Sequence, residues 1–489
     1  MLHLIKLSPE ITIKSRVVRR RFTRQLRKNL FRVLKEFDEK IEVLGKWDSI
    51  EVNTAVSDDS CNFRVRDRLQ NTPGVGQVCL VEKHKLPSMD LMLELTRNAY
   101  SGSLKGKSFA VRCKRTGDHS FSSVDIERFV GHGLLLSCSP KGVDLKNPDV
   151  TVAIEIRDDD FYIVKTKLKG LGGFPLGCQD SVLSLISGGF DSSVSTYLSI
   201  KRGLQTHYCF FSLGGSSHEL AVKEIALFLW MKFHSSHRVK FISVPFESVV
   251  EEVLNNVEDS QMGVVLKRMM IRAGDLIAKK FGLNALITGE SIAQVSSQTL
   301  ANLSVIDDVS DSLILRPLCT SDKQEIINIA REIGTEDFSK DIPEYCAVIS
   351  KNPTTKAKRV RIEREEARIE EKVLKEAVDK AKYQIISELH NNLSIKKAEV
   401  EIIRNVKKGS IVIDIRHPDE QEVNPLALNC NATIIHIPFY SLSSKFERLT
   451  QNQHYLLYCD KGMMSRLHAA NLIEQGFSNV SVLDLKAAE

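Results

Sequence analysis

The order of apolar and polar residues along the chain predicts three regions of mixed helix and strand. Residues 41–165 alternate short strand-like runs with helical stretches, which is typical of an α+β region. From Ser181 to about Ser350 apolar strands alternate with helices, and this order predicts a doubly wound parallel sheet. A further small α/β unit begins at Ser410. The predicted strands are Ile50–Val56, Val75–Val81, Ser108–Cys113, Val150–Ile156, Phe161–Lys165, Val182–Ile186, Gln205–Phe211, Lys240–Val244, Ala285–Thr288, Ile411–Ile415 and Tyr455–Tyr458, and the predicted helices are residues 14–35, Met89–Ser101, Ser123–Leu136 and Arg466–Gln475.

A glycine-rich turn follows the first apolar strand of the second region. Residues 183–186 predict a strand, residues 187–189 a tight turn, and residues 190–200 a helix with apolar positions at helical spacing. The glycines let backbone N–H groups and serine hydroxyls converge on one anion, and the positive end of the helix dipole adds to the attraction. The turn therefore predicts a phosphate site formed by Ser187, Gly188, Gly189, Asp191, Ser192 and Ser193.

This turn has two interpretations. No lysine follows the glycines, so it is not the G-x-x-x-x-G-K-[ST] loop. Ser-Gly-Gly-Phe-Asp-Ser resembles instead the pyrophosphatase-type loop of ATP-dependent adenylating enzymes. That resemblance implies that ATP is cut between its α and β phosphates, that the loop holds the pyrophosphate, and that Asp191 lies near Mg²⁺. The alternative is an ordinary strand-to-helix turn that is rich in Gly and Ser.

Composition narrows the class of protein. The 489 residues suit three or four domains, and 42% hydrophobic with 27% charged residues is typical of globular domains with cores. No apolar run approaches the roughly 20 residues that span a bilayer, and residues 1–6 lack the apolar core of a signal peptide. Ten scattered cysteines without a C-x-x-C pair argue against structural disulfides or zinc. We therefore expect a cytoplasmic protein with reduced thiols, no membrane association and no structural metal.

The net charge of +6 is concentrated at the front of the chain. Residues 1–175 hold 31 Lys and Arg against 22 Asp and Glu, and residues 14–35 contain ten cations without one acid. Val17, Phe22, Leu26 and Leu30 fall near one face of the helix predicted there. A solvated surface helix is the alternative, but this excess of cations favours binding to a phosphate backbone. The candidate RNA-binding residues are Arg16, Arg20, Arg24 and Lys28.

Two loops of the α+β region carry further cations. Residues 113–123 lie between a predicted strand and a helix, and residues 144–149 precede a strand. Both resemble the THUMP domain, an RNA-binding module of tRNA-modifying enzymes. In that interpretation Lys114, Arg115 and Lys146 bind phosphates; the alternative is that they are ordinary solvated loop residues.

The sheet region offers more candidates for nucleotide binding. Residues 289–299 form a polar loop directly after a predicted strand, at the edge of the sheet where ligands bind. Gly289 and Gln298 are its candidate ligands. Arg316 and Lys323 suit a polyphosphate or the charge that develops on it. Lys267 and Arg268 add two cations, although a surface position on a helix is an equal alternative for Arg268.

Two cysteines stand in distinctive surroundings. Cys459 follows a predicted strand and precedes a six-residue loop and a helix, so loop N–H groups can form an anion nest that favours a thiolate or persulfide. Residues 411–416, 437–439 and 458–466 resemble a rhodanese domain, in which Asp414 and Arg416 are structural and Cys459 carries sulfur. An inert buried cysteine is the alternative. Cys346 lies in Pro343-Glu344-Tyr345-Cys346.

In this order the segments resemble the tRNA 4-thiouridine synthetase (tRNA sulfurtransferase) family over almost the whole chain. The resemblance predicts a multidomain α/β and α+β protein. Its predicted parts are a ferredoxin-like region (1–60), a THUMP domain (61–168), a linker (169–180), a pyrophosphatase-type ATP domain (181–354), a charged helical connector (355–403) and a rhodanese-like sulfur-carrier domain (404–489).

The resemblance also implies a reaction. ATP adenylates O4 of uridine 8 in tRNA, and a persulfide on Cys459, supplied by a cysteine desulfurase, replaces that oxygen with sulfur. Cys346 then releases the product by forming a disulfide with Cys459, which a reductant must break. A homodimer would fit the family, and some members pass sulfur to the thiamine thiazole pathway through a sulfur-carrier protein. The expected cofactors are ATP and Mg²⁺.

The sequence departs from the family pattern at a few positions. Ala293 and Ala347 stand where glycine is usual, and Asp460-Lys461 fills the rhodanese loop unusually. Two other functions compete with the thiolation hypothesis. One is a non-catalytic sulfur relay or tRNA-binding scaffold, which the presence of Asp191, Lys323 and both cysteines disfavours. The other is an adenylating amidotransferase, for which the chain shows no glutaminase or ammonia route.

Overall fold

The computed structural model describes residues 1–46, 49–55, 59–212, 216–340, 352–388, 400–416, 421–422, 424–428, 431–438, 442–460 and 463–485. The chain forms two compact units, Met1–Pro175 and Leu176–Glu489. Among the described residues, no helix combines the length and the apolar character needed to cross a membrane.

The first unit is built on one eight-stranded sheet with helices packed against it. The strand order is β2-β3-β1-β4-β8-β7-β5-β6, so the sheet continues across the domain boundary expected at residue 60. β5 pairs in parallel with β6 and β7, and the remaining neighbours are antiparallel. The elements are β1 (Leu2–Leu7), α1 (Pro9–Thr12), α2 (Arg16–Leu34), β2 (Glu42–Gly45), β3 (Ser49–Asn53), α3 (Asp59–Gln70), β4 (Val75–Lys85), α4 (Met89–Leu104), β5 (Ser108–Thr116), α5 (Ser123–Ser137), β6 (Gly142–Val143), β7 (Val150–Arg157) and β8 (Asp160–Lys169).

Helix α2 confirms the basic amphipathic helix predicted for residues 14–35. Phe22, Leu26 and Leu30 are buried, whereas most of its arginines are exposed. The expectation for Val17 was wrong, since its side chain is 78% exposed. Val17 precedes Phe22 by five residues, which is about 140° off the buried face at 100° per residue.

The second unit contains the doubly wound sheet that the sequence predicts. Its strand order is β13-β12-β9-β10-β11-β14, with five parallel strands and β14 antiparallel at one edge. The chain moves from β9 to β10 and β11 on one side, then crosses to β12 and β13 on the other. The loop after β9 therefore lies at the point where the strand order reverses, which is where ligands bind in such sheets.

The elements of this sheet and its helices follow in chain order. They are β9 (Ser181–Leu185), α6 (Phe190–Lys201), β10 (Gln205–Ser212), α7 (Ser216–Leu229), β11 (Lys240–Pro245), α8 (Glu247–Asn256), α9 (Asp259–Phe281), β12 (Ala285–Ile287), α10 (Leu300–Asp307), β13 (Leu313–Leu315), α11 (Lys323–Ile333), α12 (Glu336–Ser339), α13 (Arg359–Glu366), α14 (Glu371–Asp379) and β14 (Lys382–Ile385).

The segment expected to be a helical connector instead completes the sheet domain. Helices α13 and α14 are short, and Ile362, Leu374 and Val378 belong to the core formed with α9. Strand β14 then pairs with β11. Many of the charged residues of this segment are exposed, and in the sequence they obscure the few apolar residues that are buried. The domain's fold thus extends to Ile385, beyond the boundary expected at residue 354.

The C-terminal part of the second unit is a five-stranded parallel sheet. Its order is β15-β19-β18-β16-β17. The elements are β15 (Ile402–Ile403), β16 (Ile411–Asp414), β17 (Thr433–His436), α15 (Leu442–Phe446), β18 (Tyr455–Tyr458), α16 (Met463–Glu474) and β19 (Val480–Leu483). Val412, Leu456 and Leu483 are buried between its layers.

Ala293 adopts a left-handed backbone conformation in the loop after β12. Its φ is 63°, and its N–H donates a hydrogen bond of 3.0 Å to the carbonyl of Gln298, which closes the loop. The side chain is exposed, so the strain comes from the backbone and not from packing. A non-glycine residue pays about 1–2 kcal/mol for this conformation.

We expect Ala293→Gly to stabilise the protein. The substitution relieves about 1–2 kcal/mol of strain but adds about 0.4–1 kcal/mol of unfolded-chain entropy, so the net gain is about 1 kcal/mol. Denaturant unfolding of the second unit measures it. The matched control is Ala99→Gly in the middle of α4, which should destabilise the first unit by about 1 kcal/mol. A loss of stability in Ala293→Gly would contradict the strain assigned to this loop.

Candidate functional site

The loop between β9 and α6 forms the centre of the site. Gly188 has a φ of 87°, which only glycine adopts at low cost, and Gly189 precedes the first residue of α6. The Ser192 hydroxyl accepts a 3.2 Å hydrogen bond from the backbone N–H of Ser187 and donates one of 3.1 Å to the carbonyl of Gly189. Ser193 is fully buried and donates to the carbonyl of Phe190. Serine side chains thus hold the loop shape at the positive end of the helix.

Asp191 is fixed on both oxygens of its carboxylate. Lys323 donates to Oδ1 at 2.8 Å, and the amide nitrogen of Gln294 donates to Oδ2 at 2.8 Å. Lys323 opens helix α11, where Asp322 and Glu325 form a capping box. Three elements separated widely in sequence therefore meet at this one carboxylate.

Gly289 brings the loop after β12 into direct backbone contact with Ser187–Ser193, the segment called the nucleotide loop below. A Cβ atom at this position would come within 2.6 Å of the Asp191 carbonyl carbon and 2.8 Å of the Ser192 nitrogen. No side chain fits in that space without a shift of backbone. The sequence predicted Gly289 as a ligand; the structure shows that it also sets the distance between the two loops.

Glu290 organises two cations beside the loop. It is 7% exposed and accepts hydrogen bonds from Lys267 at 2.7 Å and Arg316 at 2.8 Å. Burial would raise the pKa of Glu290, but the charges of Lys267 and Arg316 outweigh burial and lower it. Arg316 also binds Asp307. The acid therefore stays ionised and holds both cations in place.

These elements surround a cavity of about 520 Å³, within the range of small-molecule sites. One wall is apolar and includes Phe210, Phe211 and Met270. The other is polar and carries the nucleotide loop. A flat base fits the first wall and a polyphosphate the second. The predicted residues that line the cavity are Ser187, Gly189, Asp191, Ser192, Lys267, Gly289 and Gln298.

Five other predicted residues lie outside the lining. Gly188 and Ser193 take part in hydrogen bonds that hold the nucleotide loop. Lys323 and Arg316 do not line the cavity themselves but bind Asp191 and Glu290, which do. Arg268 is 2% exposed, binds both oxygens of Glu366 and donates to the carbonyl of Val305. Neither interpretation of Arg268 fits this position: it is neither a cavity residue nor a surface residue but joins α9 to α13.

The sequence reasoning missed several residues of the cavity wall. His218 lines it, and its Nε2 donates to the carbonyl of Ser187 at 3.2 Å. Pro353 and Thr354 line it as well, held by Asn302, which donates to the carbonyls of Ser296 and Thr354. His218 lies six residues after β10 in the sequence. A polar residue there, near the ligand-binding edge of the sheet, was the signal that could have identified it. Nothing local marked residues 353–354.

Cys459 lies where the sequence placed it, between β18 and α16. The backbone N–H of Ser465 donates to its sulfur at 3.3 Å, and the Ser465 hydroxyl lies 3.3 Å from the same atom. The thiol is half-buried, which leaves it accessible. The N–H of Ser465, in the first turn of α16, therefore faces the sulfur, and a donor in this position favours a thiolate or persulfide.

The charged residues around this cysteine are structural. Arg416 is almost fully buried and binds the fully buried Asp414 through two nitrogens. Arg416 also reaches Asp460, and Arg466 pairs with Asp484 at 2.7 Å. Cys346 and Lys461 lie outside the described residues. No group of three or more potential metal ligands occurs in the described ranges.

The candidate RNA-binding residues lie on the first unit. Arg20 and Arg24 line a hollow of about 340 Å³ along α2, while Arg16 and Lys28 are exposed on the same helix. A second hollow of about 510 Å³ contains Lys114. Arg115 donates to the carbonyl of Gly117 and contacts His119, and Lys146 is exposed. Two hollows with basic walls are suited to phosphate groups.

Comparison with known proteins covers the same regions of the chain. Residues 177–371 match the family described as thiamine biosynthesis protein (ThiI), and residues 2–79 match the ThiI ferredoxin-like domain. Residues 88–164 match the THUMP domain and residues 399–485 a rhodanese-like domain. The tRNA sulfurtransferase of Pseudomonas putida is 50% identical over 479 residues, which are 98% of this chain and 99% of that protein. The tRNA sulfurtransferase of Escherichia fergusonii is 48% identical over 482 residues, 99% of each chain.

Solved structures show the same fold. A 4-thiouridine synthetase crystallised with RNA and ATP is 25% identical, with a TM-score of 0.68, and the match covers 78% of this chain and 99% of that one. PH1313 from Pyrococcus horikoshii is 19% identical, with a TM-score of 0.53 over 68% of this chain and 100% of that one, and supports the fold. The matches along the whole length show that this chain belongs to the ThiI family of tRNA sulfurtransferases.

Proposed function

We propose that this enzyme adenylates uridine 8 of tRNA with ATP and replaces O4 with sulfur carried on Cys459, giving 4-thiouridine. The observation that carries the proposal is one chain holding both a nucleotide loop at the switch point of a parallel sheet and a cysteine at the N-terminal end of a rhodanese helix. The first suits activation of an oxygen, and the second suits delivery of sulfur.

Adenylation is assigned to the cavity of the doubly wound sheet. O4 of the uridine attacks the α phosphorus, and pyrophosphate leaves with its electron pair. The nucleotide loop and Lys267 lie on the polar wall, where negative charge accumulates on the phosphates, and Lys323 supports that wall from outside the lining through Asp191. The apolar wall at Phe210 and Phe211 accepts the adenine.

Mg²⁺ would accompany the phosphates. This ion usually keeps several waters and takes one or two carboxylates in addition to phosphate oxygens. Asp191 fits that role, because Lys323 and Gln294 hold its carboxylate in place at the cavity while each oxygen keeps a free lone pair.

Sulfur transfer is assigned to Cys459. The terminal sulfur of its persulfide attacks C4, and AMP leaves with the former O4. Cys346 then attacks the Cys459 sulfur, so that the thiolated base is released and a Cys346–Cys459 disulfide forms; a reductant returns both thiols. A cysteine desulfurase supplies the persulfide sulfur.

The first unit is assigned to tRNA binding through the basic face of α2 and through Lys114, Arg115 and Lys146. The target base must leave its stacked position to enter the cavity. Transfer of sulfur to a carrier protein of the thiamine pathway and assembly as a homodimer are further parts of the proposal that the family membership supports.

The two chemical steps are expected to separate by mutation. Cys459→Ser should abolish 4-thiouridine, read by its near-ultraviolet absorbance, while tRNA-dependent release of pyrophosphate continues. Asp191→Asn should lower AMP formation at least 100-fold with tRNA affinity unchanged, because the carboxylate lies in the nucleotide cavity.

The matched controls are Cys178→Ser and Asp180→Asn, since Cys178 is a half-buried cysteine and Asp180 an exposed acid that precedes β9. Both should behave as wild type. Thiolation at the normal rate by Cys459→Ser would remove the rhodanese cysteine from the mechanism.

Reversal of charge at Arg20 and Arg24 tests the RNA surface. Arg20→Glu with Arg24→Glu should weaken tRNA binding about tenfold and reduce the slope of log K against log salt by about two, because two phosphate contacts are lost. The control pair Arg364→Glu and Lys375→Glu makes the same charge change on exposed residues of the second unit. Equal effects of both pairs would show a general charge effect instead of a binding surface.

A further inference from the structure

The N-terminal end of helix α7 contacts the nucleotide loop. His218, in its first turn, donates to the carbonyl of Ser187 at 3.2 Å and lines the ATP cavity. The ring of Phe210, at the end of the preceding strand, packs edge-on against His218. The start of this helix is therefore a fixed part of the cavity wall.

The other end of α7 contacts the element that leads to Cys346. Phe228 packs against Phe338 of α12, with ring centroids 5.1 Å apart. The next residue of α12, Ser339, donates to the carbonyl of Gly188 in the nucleotide loop at 2.9 Å. Helix α12 is thus held against both α7 and the nucleotide loop, seven residues before Cys346.

The middle of α7 contacts the helix that follows Cys459. Glu224 Oε1 lies 3.7 Å from Nδ1 of His468 in α16. The N-terminal turn of α16 contacts the Cys459 sulfur through Ser465. The residues 218, 224 and 228 span ten positions, about 15 Å of helix at 1.5 Å per residue. One short helix therefore connects the cavity, the element before Cys346 and the helix after Cys459.

The contact between Glu224 and His468 is buried. His468 is 2% exposed and Glu224 9% exposed, although one belongs to the doubly wound sheet domain and the other to the rhodanese domain. Burial raises the pKa of Glu224 to about 8 and lowers the pKa of His468 to about 4. At neutral pH a protonated carboxyl therefore faces a neutral imidazole. Two ionisable side chains that are buried at one contact require the two domains to be closely packed there, so the pair marks one docked arrangement.

We propose that helix α7 is the docking surface on which the sulfur-carrier domain sits during sulfur transfer, with Glu224 and His468 as positioning residues. The inference rests on the proposed function and adds the place where the carrier domain binds. Docking on α7 brings the Cys459 helix to the same element that contacts the nucleotide loop and the element before Cys346. The alternative, a resting arrangement that must open before transfer, makes the opposite prediction for rate.

The test measures single-turnover thiolation with the full-length chain. Cys459 is first loaded with persulfide by a cysteine desulfurase and L-cysteine, and the desalted enzyme is then mixed with ATP and unmodified tRNA. Glu224→Lys and His468→Glu should each lower the rate of 4-thiouridine formation at least tenfold, because each substitution places a charged side chain in a buried contact whose two side chains are uncharged. Persulfide loading and tRNA-dependent release of pyrophosphate should stay within twofold of wild type, which shows that both domains are folded.

The double variant Glu224→Lys with His468→Glu places two opposite charges next to each other in this contact, so that each has a partner. It should recover at least a third of the wild-type rate, a rescue that a general loss of stability would not give. The control His454→Glu changes an exposed histidine of the same domain and should transfer sulfur normally.

Transfer at the wild-type rate by both single variants would overturn the docking surface, and faster transfer would show that the contact is a resting one. Failure of wild-type enzyme to form 4-thiouridine would instead refute the proposed function. If Glu224→Lys fails to release pyrophosphate, its own domain is damaged, and His468→Glu, which lies in the other domain, then decides the test alone.

Discussion

The close approach of two backbones at Gly289 is the constraint on which the nucleotide site depends. The space beside Gly289 admits no Cβ, so the loop after β12 lies directly on the Asp191–Ser192 peptide. That contact sets where Gln294 meets the Asp191 carboxylate and where Glu290 presents Lys267. A parallel sheet brings loop ends to one edge, but only a residue without a side chain lets them touch.

The cations of the site are each paired with an acid of the same chain. Lys323 is matched by Asp191, and Lys267 and Arg316 by the buried Glu290. A cluster of unpaired cations would repel itself in a partly buried cavity, whereas paired cations keep their positions and their orientation. ATP can then add negative charge to a polar wall that needs little reorganisation, which is the condition for electrostatic stabilisation.

Patterns of consecutive residues predicted those parts of the structure that depend only on residues close together in the sequence. The strand, turn and helix around Ser187–Ser193 are read directly from consecutive residues, and so are the strand before Cys459 and the helix after it. Lys267 and Arg268 show where prediction from neighbouring residues fails. They are neighbours on α9, yet one faces the cavity and the other faces Glu366, which lies 98 residues from Arg268 in sequence. Only the packing of α9 against α13 decides between them. The same holds for Glu224 and His468, whose meeting depends on how two sheets assemble.

The central claim is that the uridine oxygen attacks the α phosphate and departs with AMP, and the fate of that oxygen tests it most directly. A tRNA carrying ¹⁸O at O4 of uridine 8 is thiolated with ATP and persulfide-loaded enzyme. The ¹⁸O content of the AMP and pyrophosphate formed is then measured by mass spectrometry. The account predicts one ¹⁸O atom in the phosphate of AMP for each 4-thiouridine formed. Label found in water or in pyrophosphate, with unlabelled AMP, would contradict it.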